Sequence, residues 1–183
     1  MGVGDYNAAL RARAQSRDVA GTAEAWARLV ANVEPNDRSF GILIDGFARV
    51  GDGDGALRAL WEVPGGGNVV HFTSAILALS RSGRHGEAAA LHERMVAEEL
   101  ARPNFQSFHG YLRALAGLAR HGGAKNGDRA LGALEAMNRT VGSVDARAYQ
   151  TAVYVRGGAA TPSHFNVRVS SVGARRSKKA SRW

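Results

Sequence analysis

The 183-residue chain contains no cysteine, which excludes disulfide staples, thiolate zinc sites, iron–sulfur clusters and cysteine nucleophiles together. It has no run of eighteen or more apolar residues, so no membrane span is expected. Met1 to Asp5 lead straight into patterned sequence, with neither a charged stretch followed by an apolar run nor an Arg-rich, Ser-rich presequence. A targeting segment is therefore not expected within the chain. Acid is missing after residue 157, where Arg168, Arg175, Arg176, Lys178, Lys179 and Arg182 have no Asp or Glu among them. Of the formal charge of +8, six units lie in this tail and +2 in the rest, so the tail is the basic element.

Motifs for chemistry are also wanting. Gly65-Gly66-Gly67 lacks the Lys and Ser or Thr of a phosphate loop and reads as a turn. Asp52-Gly53-Asp54-Gly55 has too few ligands for a calcium loop and is expected between two helices. His85 and His92, seven apart on one expected helix, lack a carboxylate or third ligand and read as surface residues. No Ser, His and Asp set and no supported carboxylate pair is present, so no enzyme, cofactor or metal is expected.

What the chain does have is an internal period. Tyr6, Phe40, Phe72 and Phe108 superpose as leading aromatics, with Tyr149 opening a fifth segment, at spacings of 34, 32, 36 and 41 residues. Each of the first four opens a helical stripe, clearest in Phe40, Leu43, Ile44, Phe47 and in Phe72, Ala75, Ile76, Leu79. Breaks follow at Ser16-Arg17, Gly51, Gly83 and Gly122-Gly123. A second helical block then runs from Ala to Val or Met: Ala23 to Val30, Ala56 to Val63, Ala88 to Met95 and Ala130 to Met137. Small residues such as Ala23 and Ala88 imply close helix approach. Pro35-Asn36 and Pro103-Asn104 end two units, since proline cannot continue a helix. One hairpin cannot bury its own stripe, so the units must stack into an all-α solenoid with one helix type lining the concave face. Helices of that type are expected to start near Ser39, Phe72 and Ser107.

Asp37 to Gly51 (DRSFGILIDGFARVG) and Ala88 to Met95 (AAALHERM) closely resemble the two halves of the pentatricopeptide repeat. Tetratricopeptide units share the hairpin, but they want a Trp near the start of the first helix and a Leu-Gly pair after it, which no unit here has. The resemblance divides the chain into units 3–36, 37–68, 69–104 and 105–145, a partial unit 146–155, and a flexible basic tail 156–183. Gly122 to Gly127 reads as an insertion that lengthens a turn in the fourth unit.

The resemblance implies single-stranded RNA as partner, with each unit reading one base through the residue after the leading aromatic and the last residue of the unit. Those pairs are Asn7 with Asn36, Gly41 with Asn68, Thr73 with Asn104, and His109 with Asp145. Short polar side chains suit the exposed edge of a splayed base. By the family's code the first pair prefers a pyrimidine, cytosine favoured, and the third prefers adenine; Gly41 has no side chain to reach a base. The family also sandwiches bases between second-position residues, here Gly4, Arg38, Val70 and Gln106, of which Val70 and Arg38 suit stacking. The family further implies RNA processing, stability or translation in a mitochondrion or plastid. Two alternatives stay open: a scaffold that takes a peptide or a ribosomal protein surface in the same groove, and the RNA-binding part of a larger enzyme.

Overall fold

A computed structural model describes residues 1–120 and 125–157. The described residues form nine helices: α1 (Val3–Gln15), α2 (Val19–Asn32), α3 (Asp37–Val50), α4 (Gly53–Trp61), α5 (Val69–Arg81), α6 (His85–Ala97), α7 (Phe105–Ala119), α8 (Lys125–Val141) and α9 (Ala146–Val155). None of them is long and apolar enough to cross a membrane. The expected turn at residues 122 to 124 and the basic tail from residue 158 lie outside the described residues; Lys125 to Gly127, assigned to the same insertion, are already helical.

The odd-numbered helices form one row, each packed on the next: α1 on α3, α3 on α5, α5 on α7, α7 on α9. Each even-numbered helix packs on its own partner and on the following odd helix, whereas the backbones of successive even helices stand further apart and meet through side chains, Arg94 over the Trp61 ring at 4.8 Å and Arg129 with Glu93 at 2.8 Å. A close-packed row beside a fanned row must curve. The odd, or A, helices therefore line the concave side of a helical-hairpin solenoid of four hairpins and a partial fifth.

Burial follows the repeat. Phe40, Phe72 and Phe108 are buried, as are Leu43, Ile44, Ile76, Leu79, Leu112 and Leu115 from the same stripes. These three phenylalanines each meet a ring from the preceding B helix: Trp26 lies 5.1 Å from Phe40, Trp61 6.0 Å from Phe72, and His92 5.4 Å from Phe108. Such edge-to-face and tilted contacts tie successive hairpins beyond simple area burial.

Capping residues, not the aromatics, fix where the A helices begin. The side chains of Asn36, Asn68 and Asn104 accept from backbone amides of the first turn, which starts α3, α5 and α7 at Asp37, Val69 and Phe105 rather than at Ser39, Phe72 and Ser107. The same cause corrects two other expectations. Asp52 caps α4, so Gly53 to Gly55 form its first turn instead of a connecting loop. Asp18 caps α2, which puts Thr22 and Leu29 in the core and leaves Ala23 and Val30 exposed, one residue out of the expected register. Thr22 is tolerated inside because its Oγ1 donates to Asp18 O at 2.6 Å, and Gly46 lets α3 approach, since a Cβ there would stand 3.0 Å from that of Ala14. A third correction has a different cause: His92 is buried against α7, stacked on Tyr111 at 4.4 Å, rather than on the surface. Burial lowers the His92 imidazole from its ordinary 6.5 to about 4.

The breaks behave as their residues allow. Gly51 and Gly83 take the left-handed conformation at φ 78°, and in the first unit Arg17 is forced into it at φ 58°. Gly65, Gly66 and Gly67 are all left-handed in the turn between α4 and α5.

Candidate nucleic-acid interface

Residues on the N-terminal ends and exposed faces of the A helices create two adjoining depressions on the concave side. The first includes Arg11 from α1, Arg38 and Gly41 from α3, and Asn68 and Val70 at the start of α5. The second includes Thr73 from α5, Phe105, His109 and Arg113 from α7, and Asp145 and Arg147 at the start of α9. Six of the nine expected site residues thus line this groove: Arg38, Asn68, Val70, Thr73, His109 and Asp145. Asn7, Asn36 and Asn104 do not line either depression.

Every unit-closing residue is an N-cap, which accounts for the run of Asn and Asp in backbone terms. Capping occupies an oxygen and leaves the rest of the side chain for other work. Asn36 Oδ1 accepts from Ser39 N at 3.0 Å and also from Asn7 Nδ2 at 3.4 Å, so the first pair is in contact. Asn7 is buried, and its own Oδ1 has no partner among the described residues. Asn104 Oδ1 accepts from Ser107 N at 2.9 Å, and no partner of its Nδ2 occurs among the described residues. Asp145 Oδ1 accepts from Ala148 N at 2.9 Å and lies 3.1 Å from His109 Nε2. Asn68 is the most committed: Oδ1 accepts from Val70 N and His71 N at 2.9 and 3.3 Å, and Nδ2 donates to Asp37 Oδ2 at 2.7 Å.

Of the groove-facing partners, Thr73 Oγ1 donates to Val69 O at 2.6 Å. Its hydroxyl hydrogen is spent on its own helix, so Thr73 faces a ligand as an acceptor. Val70 is 58% exposed, an apolar side chain with no core to enter. Arg38 is exposed and has no ion-pair partner among the described residues.

Charge is sorted by face, which the formal balance of the body conceals. Five of the six arginines that line the groove, Arg11, Arg38, Arg113, Arg120 and Arg147, have no acidic partner among the described residues; the sixth, Arg49, pairs with Asp45 at 2.7 Å, and Asp37 and Asp145 also line it. On the B helices or their caps, Arg28, Arg84, Arg94 and Arg129 each sit in an ion pair with Glu24, Asp54 and Glu87, Glu98 and Glu93 respectively; Arg58 and Arg139 are the exceptions. Sequence reading missed Arg11, Arg113, Arg120 and Arg147, and the half-exposed Phe105 and Tyr154. A signal existed for most of them. Arg11, Arg113 and Tyr154 stand five residues after a leading aromatic, and Arg147 two before one, in register with Arg38 and Val70. No cluster of three His, Cys, Asp or Glu that could hold a metal occurs among the described residues.

No curated protein matches the chain. The family model described as PPR repeat matches residues 38–67 and 70–100, the second and third hairpins. The described helices stack as hairpins, and the two at the centre of the stack are pentatricopeptide repeats.

Proposed function

We propose that the protein binds single-stranded RNA along the A-helix groove without changing it chemically, in RNA processing, stability or translation within a mitochondrion or plastid. The family supports RNA as the partner class. The observation that carries the reading is the sorting of charge: five unpaired guanidinium groups border the recesses on the concave face, while most outer arginines are neutralised locally. Exposed ion pairs contribute little to stability, so this arrangement is better understood as keeping positive charge where a phosphate backbone passes.

On this reading Asn36, Asn68, Thr73, Asn104, His109 and Asp145 present base-recognising groups, the buried Asn7 holds Asn36 from behind, and Arg38 and Val70 stack on bases. Residues 3–155 act as the RNA-binding domain and 156–183 as a basic tail that adds non-specific affinity. Four units read only a few bases, too few to mark one transcript, so partner proteins or flanking charge contribute the remaining selectivity. Fluorescence anisotropy with single-stranded RNA, duplex RNA and single-stranded DNA tests the reading. Micromolar or tighter binding that prefers single-stranded RNA supports it. Absence of RNA binding, with retention of peptides or ribosomal protein on the same face, overturns it in favour of a protein-binding scaffold.

A further inference from the structure

The second unit carries Gly41 where a base-reading side chain is expected, and its surroundings differ from those of every other unit. A Cβ at Gly41 would stand 3.3 Å from His71 Nε2, closer than ordinary contact, so the glycine lets the His71 ring pack against α3 and puts no side chain into the depression that Gly41 lines. His71 is itself fixed. Its Nδ1 accepts from Asn68 N at 3.2 Å, which places the proton on Nε2, 3.0 Å from Asp37 O.

Asp37 replaces the missing group. Its carboxylate is 66% exposed at the rim of the depression that also holds Arg38, Gly41, Asn68 and Val70. Oδ2 accepts from Asn68 Nδ2 at 2.7 Å, and Oδ1, 3.7 Å from His71 Nδ1, has no hydrogen-bond donor among the described residues. At the same register, three residues before the leading aromatic, the other units have Val3, Val69, Phe105 and Ala146. Only the second unit brings a charged acceptor there.

Resting on the single-strand RNA reading above, we infer that the second unit recognises guanine, with Asp37 as the specificity-determining residue in place of the residue after the leading aromatic. The donor pattern of the bases decides this. A carboxylate is acceptor-only and strongest against two adjacent donors. Guanine alone offers two, N1–H and the N2 amino group, on its pairing edge. Its O6 then accepts the second hydrogen of Asn68 Nδ2, the first being held by Asp37. Cytosine and adenine bring one donor group and leave acceptors facing the carboxylate, and uracil brings one donor between two acceptors. The base stacks between the Arg38 guanidinium plane and Val70, over the space that Gly41 leaves.

The test is selection from a randomised single-stranded RNA pool with the full chain and with Asp37→Asn, followed by affinities for the selected RNA with guanosine or inosine at the enriched position. Asp37 is exposed, so the isosteric exchange leaves the fold intact, which circular dichroism verifies. The wild type should enrich guanine at one position and bind the inosine form, which lacks the N2 amino group, about tenfold more weakly, the order expected when one base-edge hydrogen bond is removed. Asp37→Asn should lose the enrichment and the sensitivity to inosine while still binding RNA. RNA bound without guanine enrichment, or with enrichment unchanged in the variant, overturns this inference and leaves the RNA reading intact. Absence of any RNA binding overturns both.

Discussion

His109 Nε2 lies 3.1 Å from Asp145 Oδ1, so a residue just after one leading aromatic meets the residue that caps the next A helix. Asn7 and Asn36 make the equivalent contact at the first boundary, 3.4 Å between Nδ2 and Oδ1. Positions 36 and 29 residues apart in the chain are thus neighbours because one hairpin returns the backbone to the start of the next. The closing residue serves two ends at once, helix capping and whatever the groove presents, and substitutions can separate them.

Asn104 is the clearest place to do so. Asp caps as well as Asn, so Asn104→Asp should leave thermal stability within about 0.5 kcal/mol, whereas Asn104→Ala should lose about 1 kcal/mol by uncapping α7. The acid also exchanges the Nδ2 donor for an acceptor. With Thr73 acting as acceptor, the wild type suits adenine, whose N6 amino group donates and N1 accepts; Asn104→Asp should shift selection towards guanine, at a loss on adenine of about 1 to 3 kcal/mol. Pool selection beside chemical denaturation reads both effects, and an unaltered base preference would refute base reading by this unit.

The groove arginines should act on binding alone. Replacing Arg113, Arg120 and Arg147 by Ala should weaken RNA affinity and reduce the salt slope by about 0.7 for each phosphate left without its guanidinium. Replacing the ion-paired outer residues Arg28 and Arg94 should leave the slope unchanged. Because none of these side chains is buried, melting temperatures should stay nearly constant. Equal slopes for the two sets would remove the case for the concave face.

His92 makes stability depend on pH. Its folded pKa, about 4, is below the ordinary 6.5, because burial disfavours the charged ring. The unfolded chain therefore takes up this proton first as pH falls. Its contribution is intact above pH 6.5 and lost progressively down to about 4, at about 1.4 kcal/mol per pH unit, or about 2 kcal/mol by pH 5. His92→Phe keeps a ring against Phe108 and Tyr111, and urea titrations at pH 7 and pH 5 should show the variant losing less stability on acidification. Equal losses would place the acid sensitivity elsewhere.

Two helical glycines should respond in opposite senses to the same exchange. At Gly132, exposed on α8 with nothing within 4 Å of an added Cβ, Ala should stabilise by about 0.5 to 1 kcal/mol through helix propensity. At Gly117, a Cβ would lie 2.3 Å from the His85 ring of α6, and forcing these helices apart should cost about 1 to 3 kcal/mol. Melting curves of both variants check the pair.

The recurrence of the leading aromatics, the breaks and the small residues of the second helix determined the architecture from sequence alone, because a hairpin with one apolar stripe has no stable solution except stacking on another. The same letters misplaced Ala23 and Val30, since helix phase is set by the cap at Asp18 and not by the first alanine of a block. Only the tertiary structure could bring Arg11, Arg38, Arg113, Arg120 and Arg147 together on one face, bury His92 and place Asp37 beside Asn68 over the gap at Gly41. Composition sums charge along the chain, whereas the curvature of the A-helix row decides which charges share a groove, and that curvature arises from packing between residues about thirty positions apart.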